Sequence, residues 1–292
     1  MTIGVGIALA FVAMLCWGFG DFLIQKSTRR IGDWETLFIM SFIGMFILAP
    51  FVWRQIPNVI TNQGGSLLIL LVASVVILLA ALIDFEALKE GKLAIVEPIW
   101  SLEIPVAAFL AYFLVSERIS VIQIILVSLL LIFLILVAFK QKRFSSSALL
   151  EKGVPLAILG AILMGSANFF MGWGGRISDP IMVNFFTDVF MVIATGIYLI
   201  GKGRFHRIFP DLKHTYIFVL PMSIADEVAW IAYVFSMSII PIAVATALSE
   251  SYIIIAVLLG LFISHEKLHT HQKIGLVGAI ITAIVLAVIT SA

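Results

Sequence analysis

Ten stretches of about twenty apolar residues, five in each half of a 292-residue chain, leave little from which anything but membrane-spanning helices could be built. They run over 4–26, 34–53, 66–88, 93–115 and 120–139, then over 153–173, 180–200, 214–238, 241–263 and 271–290. Each is long enough to cross a hydrocarbon core of roughly 30 Å as a helix. With 62% hydrophobic and 12% charged residues and a mean hydropathy of +1.17, the chain has too little polar surface to cover a soluble globule. The expected fold is therefore an all-α membrane protein of ten transmembrane helices with no separate soluble domain. The first stretch has no basic leader region and no small-residue cleavage site, so it is expected to be a retained helix. Cys16 is the single cysteine, which rules out a disulfide within the chain.

The halves repeat one another. Ser116-Glu117-Arg118-Ile119-Ser120, closing the fourth stretch, returns 149 residues later as His265-Glu266-Lys267-Leu268-His269 at the end of the ninth. Trp17-Gly18-Phe19-Gly20-Asp21-Phe22 lies over Met164-Gly165-Ser166-Ala167-Asn168-Phe169 at an offset of 147, which sets Asp21 opposite Asn168. A long-period self-similarity fixes architecture before any local reading. Because five spans are an odd number, the second half must enter the bilayer from the opposite side, giving two inverted five-helix repeats. The expected units are 1–139 and 153–292, joined by the polar linker 140–152.

Of the 18 Lys and Arg, all but Arg54, Arg118 and Arg176 fall in the odd-numbered loops. The positive-inside rule then puts those loops in the cytoplasm and both termini outside, in a multi-pass protein of the cell (inner or plasma) membrane. The acids are distributed otherwise. Asp21, Asp84, Glu86, Glu97, Glu103, Asp188, Asp226, Glu227 and Glu250 all fall inside spans, with the bases confined to helix ends. A carboxylate in hydrocarbon costs several kcal/mol, so such residues face a cavity, find a partner, or carry a proton. The interior has the electrostatics of a site for protons or a positively charged solute.

Asp84 and Glu86 lie within a turn of Lys89 and are expected to reach the interface, and Asp188 fits a structural hydrogen bond as well as it fits a functional role. Three other positions stand out. On span four Glu97 and Ser101 share one helical face, with Pro98 and Pro105 freeing carbonyls nearby. The offset of 149 carries them to Thr246 and Glu250 on span nine, so each half supplies one carboxylate and one hydroxyl at symmetric places. Inverted-repeat transporters bind substrate at such an interface, although two polar helix–helix contacts account for the same residues. On span eight Asp226 and Glu227 are adjacent, and like charges this close in a low dielectric do not both ionise readily, as a proton carrier requires. Trp230 and Tyr233 follow them. With Trp17, Trp100 and Trp173 they could line a cavity for a cationic or aromatic solute, or simply pack, whereas Trp34 and Trp53 fit an interfacial belt.

His265-Glu266-Lys267-Leu268-His269 has the H-E-x-x-H spacing of zinc proteases. The repeat already accounts for its glutamate, since Glu117 has the same place with serines where the histidines stand. No third carboxylate ligand is evident in reach, so neither a catalytic nor a structural metal is expected, and no other cofactor. Span ten carries Gly275, Ala279, Ala283 and Ala287 at every fourth position, a stripe that lets another helix approach closely, either within the chain or in a homodimer.

Five plus five spans, a Trp-Gly phrase early in span one and a Glu-Arg-Ile-Ser phrase closing span four together resemble the EamA-like members of the drug/metabolite transporter superfamily, over essentially the whole chain. The resemblance implies a secondary transporter, not an enzyme. Its central cavity would be lined by the first four spans of each half, with the fifth and tenth as support. It also implies that Glu117 and Glu266, in the repeated phrase, pair with an adjacent loop. The acid-rich core departs from the usual pattern and favours a cationic or amine-bearing metabolite moved with proton coupling. The site residues expected to take substrate or proton are Asp21, Glu97, Trp100, Ser101, Asn168, Asp226, Glu227, Trp230, Tyr233, Thr246 and Glu250; a partner nucleic acid is not expected. The competing readings are a passive cation or metal-ion pathway and an intramembrane zinc hydrolase built on His265, Glu266 and His269.

Overall fold

The computed structural model describes residues 2–62, 64–90, 99–138, 153–263 and 268–291, and Asp21 is placed in its backbone only. Among them the regular structure is helical: α1 (Ile3–Ile31), α2 (Asp33–Val52), α3 (Ile56–Asn62), α4 (Gly64–Glu90), α5 (Glu103–Leu114), α6 (Val121–Ala138), α7 (Gly153–Ile177), α8 (Pro180–Gly201), α9 (Ile208–Ile239), α10 (Ile242–Ser249), α11 (Tyr252–Ile263) and α12 (Thr270–Ser291). Among the described residues eight helices are long and apolar enough to cross a membrane, and the segments Glu103–Leu114 and Ile242–Ile255 are shorter apolar helices. Side chains such as Val121, Ile197 and Phe209 stand exposed on the outside of the bundle, as a surface solvated by lipid allows and water would not.

Local chemistry sets the breaks. Gly32 takes φ 100 between α1 and α2, a conformation that costs other residues dearly. Asp179 caps α8, its Oδ1 accepting from the N–H groups of Ile181 at 2.8 Å and Met182 at 3.3 Å, with Pro180 at the first helical position. At its far end α9 stops where Ile240 turns extended ahead of Pro241.

Two of the expected continuous spans are not continuous. The backbone turns at Ser101-Leu102 before α5, and again at Glu250-Ser251 between α10 and α11. These two turns occupy equivalent places at the offset of 149. The first and eighth spans also run longer than the hydropathy limits, to Ile31 and back to Ile208, because their ends are polar enough to leave the apolar window while still helical.

The packing respects the repeat. Helix α1 lies on α9 and α4 on α7; α1 meets α10 and α11, and α5 meets α7; α2 pairs with α8, α5 with α10, and α6 with α12. Exchanging the halves maps this set of neighbours onto itself. The repeated glycine shows why the sequence phrase recurs. A Cβ on Gly165 would lie 2.7 Å from Cβ of Val106, and one on Gly18 would lie 2.6 Å from Cβ of Ile255. Both pairs are one close crossing written at two places, and only glycine admits it.

The stripe on the last helix is filled from within the chain. Gly275 sits against the backbone of Phe133 and Val137 on α6, and Ala279 and Ala283 are buried behind it.

Candidate functional site

A polar seam crosses the bundle interior. Asn168 on α7 donates through Nδ2 to Glu103 Oε2 at 3.2 Å. Tyr233 on α9, fully buried, shares a hydrogen bond of 2.7 Å with the Thr246 hydroxyl on α10. Glu250 and Glu103 both stand close enough to Tyr233 to act on it electrostatically, so one tyrosine joins carboxylates from the two halves. Around it the rings of Trp17, Trp230 and Tyr233 meet mutually, at centroid distances of 5.2 Å, 5.1 Å and 5.9 Å. Aromatic edges and faces beside carboxylates make a surface suited to a cationic group.

The seam brings together Asn168, Trp230, Tyr233, Thr246 and Glu250 of the sequence-derived set. Glu97 lies outside the described residues, and so does the side chain of Asp21, so the expected Glu97–Glu250 meeting stays an expectation. Ser101 is buried, and among the described residues its Oγ has no hydrogen-bond partner. Trp100 belongs elsewhere: it packs with Ala87 and Ala157, its indole facing Asp84. Asp84 itself does not reach the interface as the nearby lysine led us to expect. It is 8% exposed, and its Oδ1 fills the place where Gly160 has no side chain; Glu86, by contrast, is exposed.

A second group lies one turn away on α9. Successive helical residues point about 100° apart, and Asp226 and Glu227 accordingly face different neighbours. Asp226 turns to α1, where it meets the Trp17 indole. Glu227, 7% exposed, stands beside Asp188 of α8, which also meets Ser41 of α2. Asp188 and Glu103 were the residues sequence reasoning undervalued. The repeat carried a signal for the first, since Ser41 and Asp188 lie at the same offset of 147 that relates Asp21 to Asn168.

The repeated closing phrases have a structural explanation. Gln123 Oε1 accepts from the backbone N–H of Ser120 at 2.9 Å, and Gln272 Oε1 accepts from that of His269 at 3.0 Å. Each is a helix-start box with the glutamine three residues after the cap, at the head of α6 and of α12. The same glutamines cross to the partner helix: Gln123 donates to the Thr290 hydroxyl at 3.1 Å and Gln272 to the Val137 carbonyl at 3.0 Å. His269 thus takes part in a cap, its ring stacked on that of His271 at 5.7 Å. His265 and Glu266 lie outside the described residues. Among the described residues no three His, Cys, Asp or Glu side chains converge as metal ligands would.

Ion pairs bind the helix ends. Glu117 meets Arg176 at 2.6 Å, and the same guanidinium donates to the carbonyls of Met237 at 2.7 Å and Ile240 at 3.0 Å. The ends of α5, α7 and α9 are thereby tied together. Glu35, 1% exposed, pairs with Arg204 at 2.7 Å and joins the start of α2 to the end of α8, beside the stacked rings of Trp34 and Tyr198.

An apolar helix bundle with carboxylates and aromatic rings inside it, and with the ion pairs of the described residues at the helix ends, is that of a multi-pass membrane protein. The model of the EamA-like transporter family matches residues 4–139 and again 151–288, and the chain belongs to that family. Its fold is similar to that of a solved structure titled only as the crystal structure of a protein, with a TM-score of 0.74 at 13% identity, over 98% of this chain and 97% of that one. No curated protein matches it in sequence.

Proposed function

We propose that this membrane protein is a secondary transporter of a small cationic or amine-bearing metabolite, working by alternating access with proton coupling in the cell membrane. The observation that carries the reading is the interior seam, where Glu103 and Glu250 flank Tyr233 within a cluster of three aromatic rings. Such a lining compensates a positive group removed from water, and an anionic solute would be repelled by it.

Ten spans in two inverted five-helix units, 1–139 and 153–292 with the linker 140–152 cytoplasmic, are the architecture that fits this reading. The interruptions at Ser101-Leu102 and Glu250-Ser251 support it, since transporters of inverted repeats place their sites at discontinuous helices near the midplane. From the start of α10 to Glu250 is eight residues, or about 12 Å at 1.5 Å each, close to half of a core of roughly 30 Å. The ion pairs agree with strict alternation: Arg176 reaches only even-numbered loops and Glu35–Arg204 joins two odd-numbered ones.

The test is uptake of a panel of labelled organic amines into proteoliposomes of the purified chain. Saturable uptake that collapses when an ionophore dissipates the pH gradient is the expected result. Flux that rises without saturation for inorganic and organic cations alike would establish a passive pathway instead.

A further inference from the structure

Asp188 and Glu227 form a pair that the transport reading above does not use. Asp188 lies eight residues into α8, about 12 Å from its start, and Glu227 lies inside α9, so the pair is well within the bundle. Their carboxyl groups lie side by side, Glu227 Oε2 and Asp188 Oδ2 both against the backbone of Gly44. Asp188 Oδ2 and Glu227 Oε1 find no protein donor among the described residues, and Glu227 is 7% exposed. Opposite them α2 presents Gly44. The oxygens Glu227 Oε2 and Asp188 Oδ2 occupy the space that a Cβ on that residue would take. Among the described residues the other groups facing the pair are the Ser41 hydroxyl of α2 and, on α9, the Asp226 carboxyl with Trp17 and Cys16 of α1 beside it. The charged groups acting on Asp188 are, among the described residues, Glu227 and Asp226, both acids.

A carboxylate has oxygens that only accept, so two carboxyl groups can hydrogen-bond only if one of them keeps a proton. Two ionised carboxylates in contact within a low dielectric repel strongly, whereas a carboxyl–carboxylate pair with one charge and one shared hydrogen is held together. Three helices meet here, and the two that carry the acids pack on the one that carries the glycine.

We propose that Asp188 and Glu227 hold a single proton between them, and that this is the proton exchanged during the transport cycle. The proposal rests on the proton-coupled reading above. In the occupied state one carboxyl donates its hydrogen to the other's carboxylate oxygen. Release of that proton leaves two carboxylates, whose repulsion pushes α8 from α9. Binding one proton reverses the step, with no other reactant.

Infrared spectroscopy of the full chain in lipid bilayers, scanned through a pH titration, reads the C=O stretch of a protonated carboxyl directly and needs no substrate. Asp188→Asn and Glu227→Gln are each expected to remove one carboxyl band, and the double variant to remove no more than either single one. That non-additivity is the signature of one shared proton. Bands that survive both single variants, or losses that sum in the double variant, would overturn the proposal. Gly44→Ala, which leaves both acids in place, is expected to shift the same band because its methyl group occupies the oxygens' position; an unshifted band in a folded protein counts against the pair as described. In the amine-uptake assay Asp188→Asn should lose dependence on the pH gradient. If the infrared result holds while wild-type uptake ignores the gradient, the coupling role falls together with the reading it rests on, and the shared proton stands alone.

Discussion

At the scale of single residues, the interior is organised around Tyr233. Removing its hydroxyl leaves the Thr246 hydroxyl, itself fully buried, without its partner. Tyr233→Phe is therefore expected to lower stability by about 1–3 kcal/mol, read as a fall in melting temperature of the detergent-purified protein. Glu250→Gln should leave the melting temperature near that of the wild type and weaken amine uptake several-fold, because it removes a negative charge beside the aromatic cluster, while the uptake that remains still follows the pH gradient. Uptake of wild-type affinity in this variant would show the acid to be structural. Thr246 and Glu250 were legible as interior polar residues because the repeat sets them opposite Glu97 and Ser101. Asp188 and Glu103 were harder to see. Sequence shows that a carboxylate is inside an apolar helix, but which neighbouring helix supplies its partner depends on rotation about the helix axis, which hydropathy does not record. Asp84 shows the same limit in reverse: a lysine one turn away suggested an escape to the interface, and the bare backbone of Gly160 on another helix gave it a place inside.

Among elements, the close crossings and the caps decide how helices sit. Gly165→Ala would press a methyl group to within 2.7 Å of the Glu103 carbonyl as well as of Val106, and the backbone cannot yield as a side chain tip can. A loss of roughly 1–3 kcal/mol is expected, while Gly4→Ala, with nothing within 4 Å, should be neutral or slightly stabilising. Thermal unfolding of the two variants side by side checks this. Gln272→Ala removes both the acceptor for the His269 N–H and the donor to the Val137 carbonyl, so it should destabilise by about 1–3 kcal/mol. A chelator should leave the wild-type melting temperature unchanged; a drop would restore a structural metal at the histidine phrase. Hydropathy found the long helices within a few residues. It could not find the turns at Ser101-Leu102 and Glu250-Ser251, because a polar residue inside a mostly apolar window scarcely changes its average, and the backbone leaves the helix for reasons of local hydrogen bonding.

For the molecule as a whole, the loops' basic bias predicts orientation. A Ser146→Cys variant on a Cys16→Ala background should react with a membrane-impermeant maleimide only after permeabilisation, and Ser120→Cys on the opposite side should react in intact cells. The reverse pattern would invert the proposed topology. The duplicated unit and its all-helical character were the most legible features, because they rest on composition and on a repeat that spans the whole chain. The pairing of helices across the halves was not, since it arises from shape at crossings such as Gly18 with Ile255.

The α6–α12 pair, tied by Gln123, Gln272 and the Gly275 contact, has a mechanical consequence. Two helices joined at both ends and along a small-residue seam behave as one rigid beam, and among the described residues α1, α2 and their counterparts carry no such double fastening to it. The beam is then the stator of the machine: spin labels on α6 and α12 should keep a single separation in every state, while labels on α2 and α8 report two.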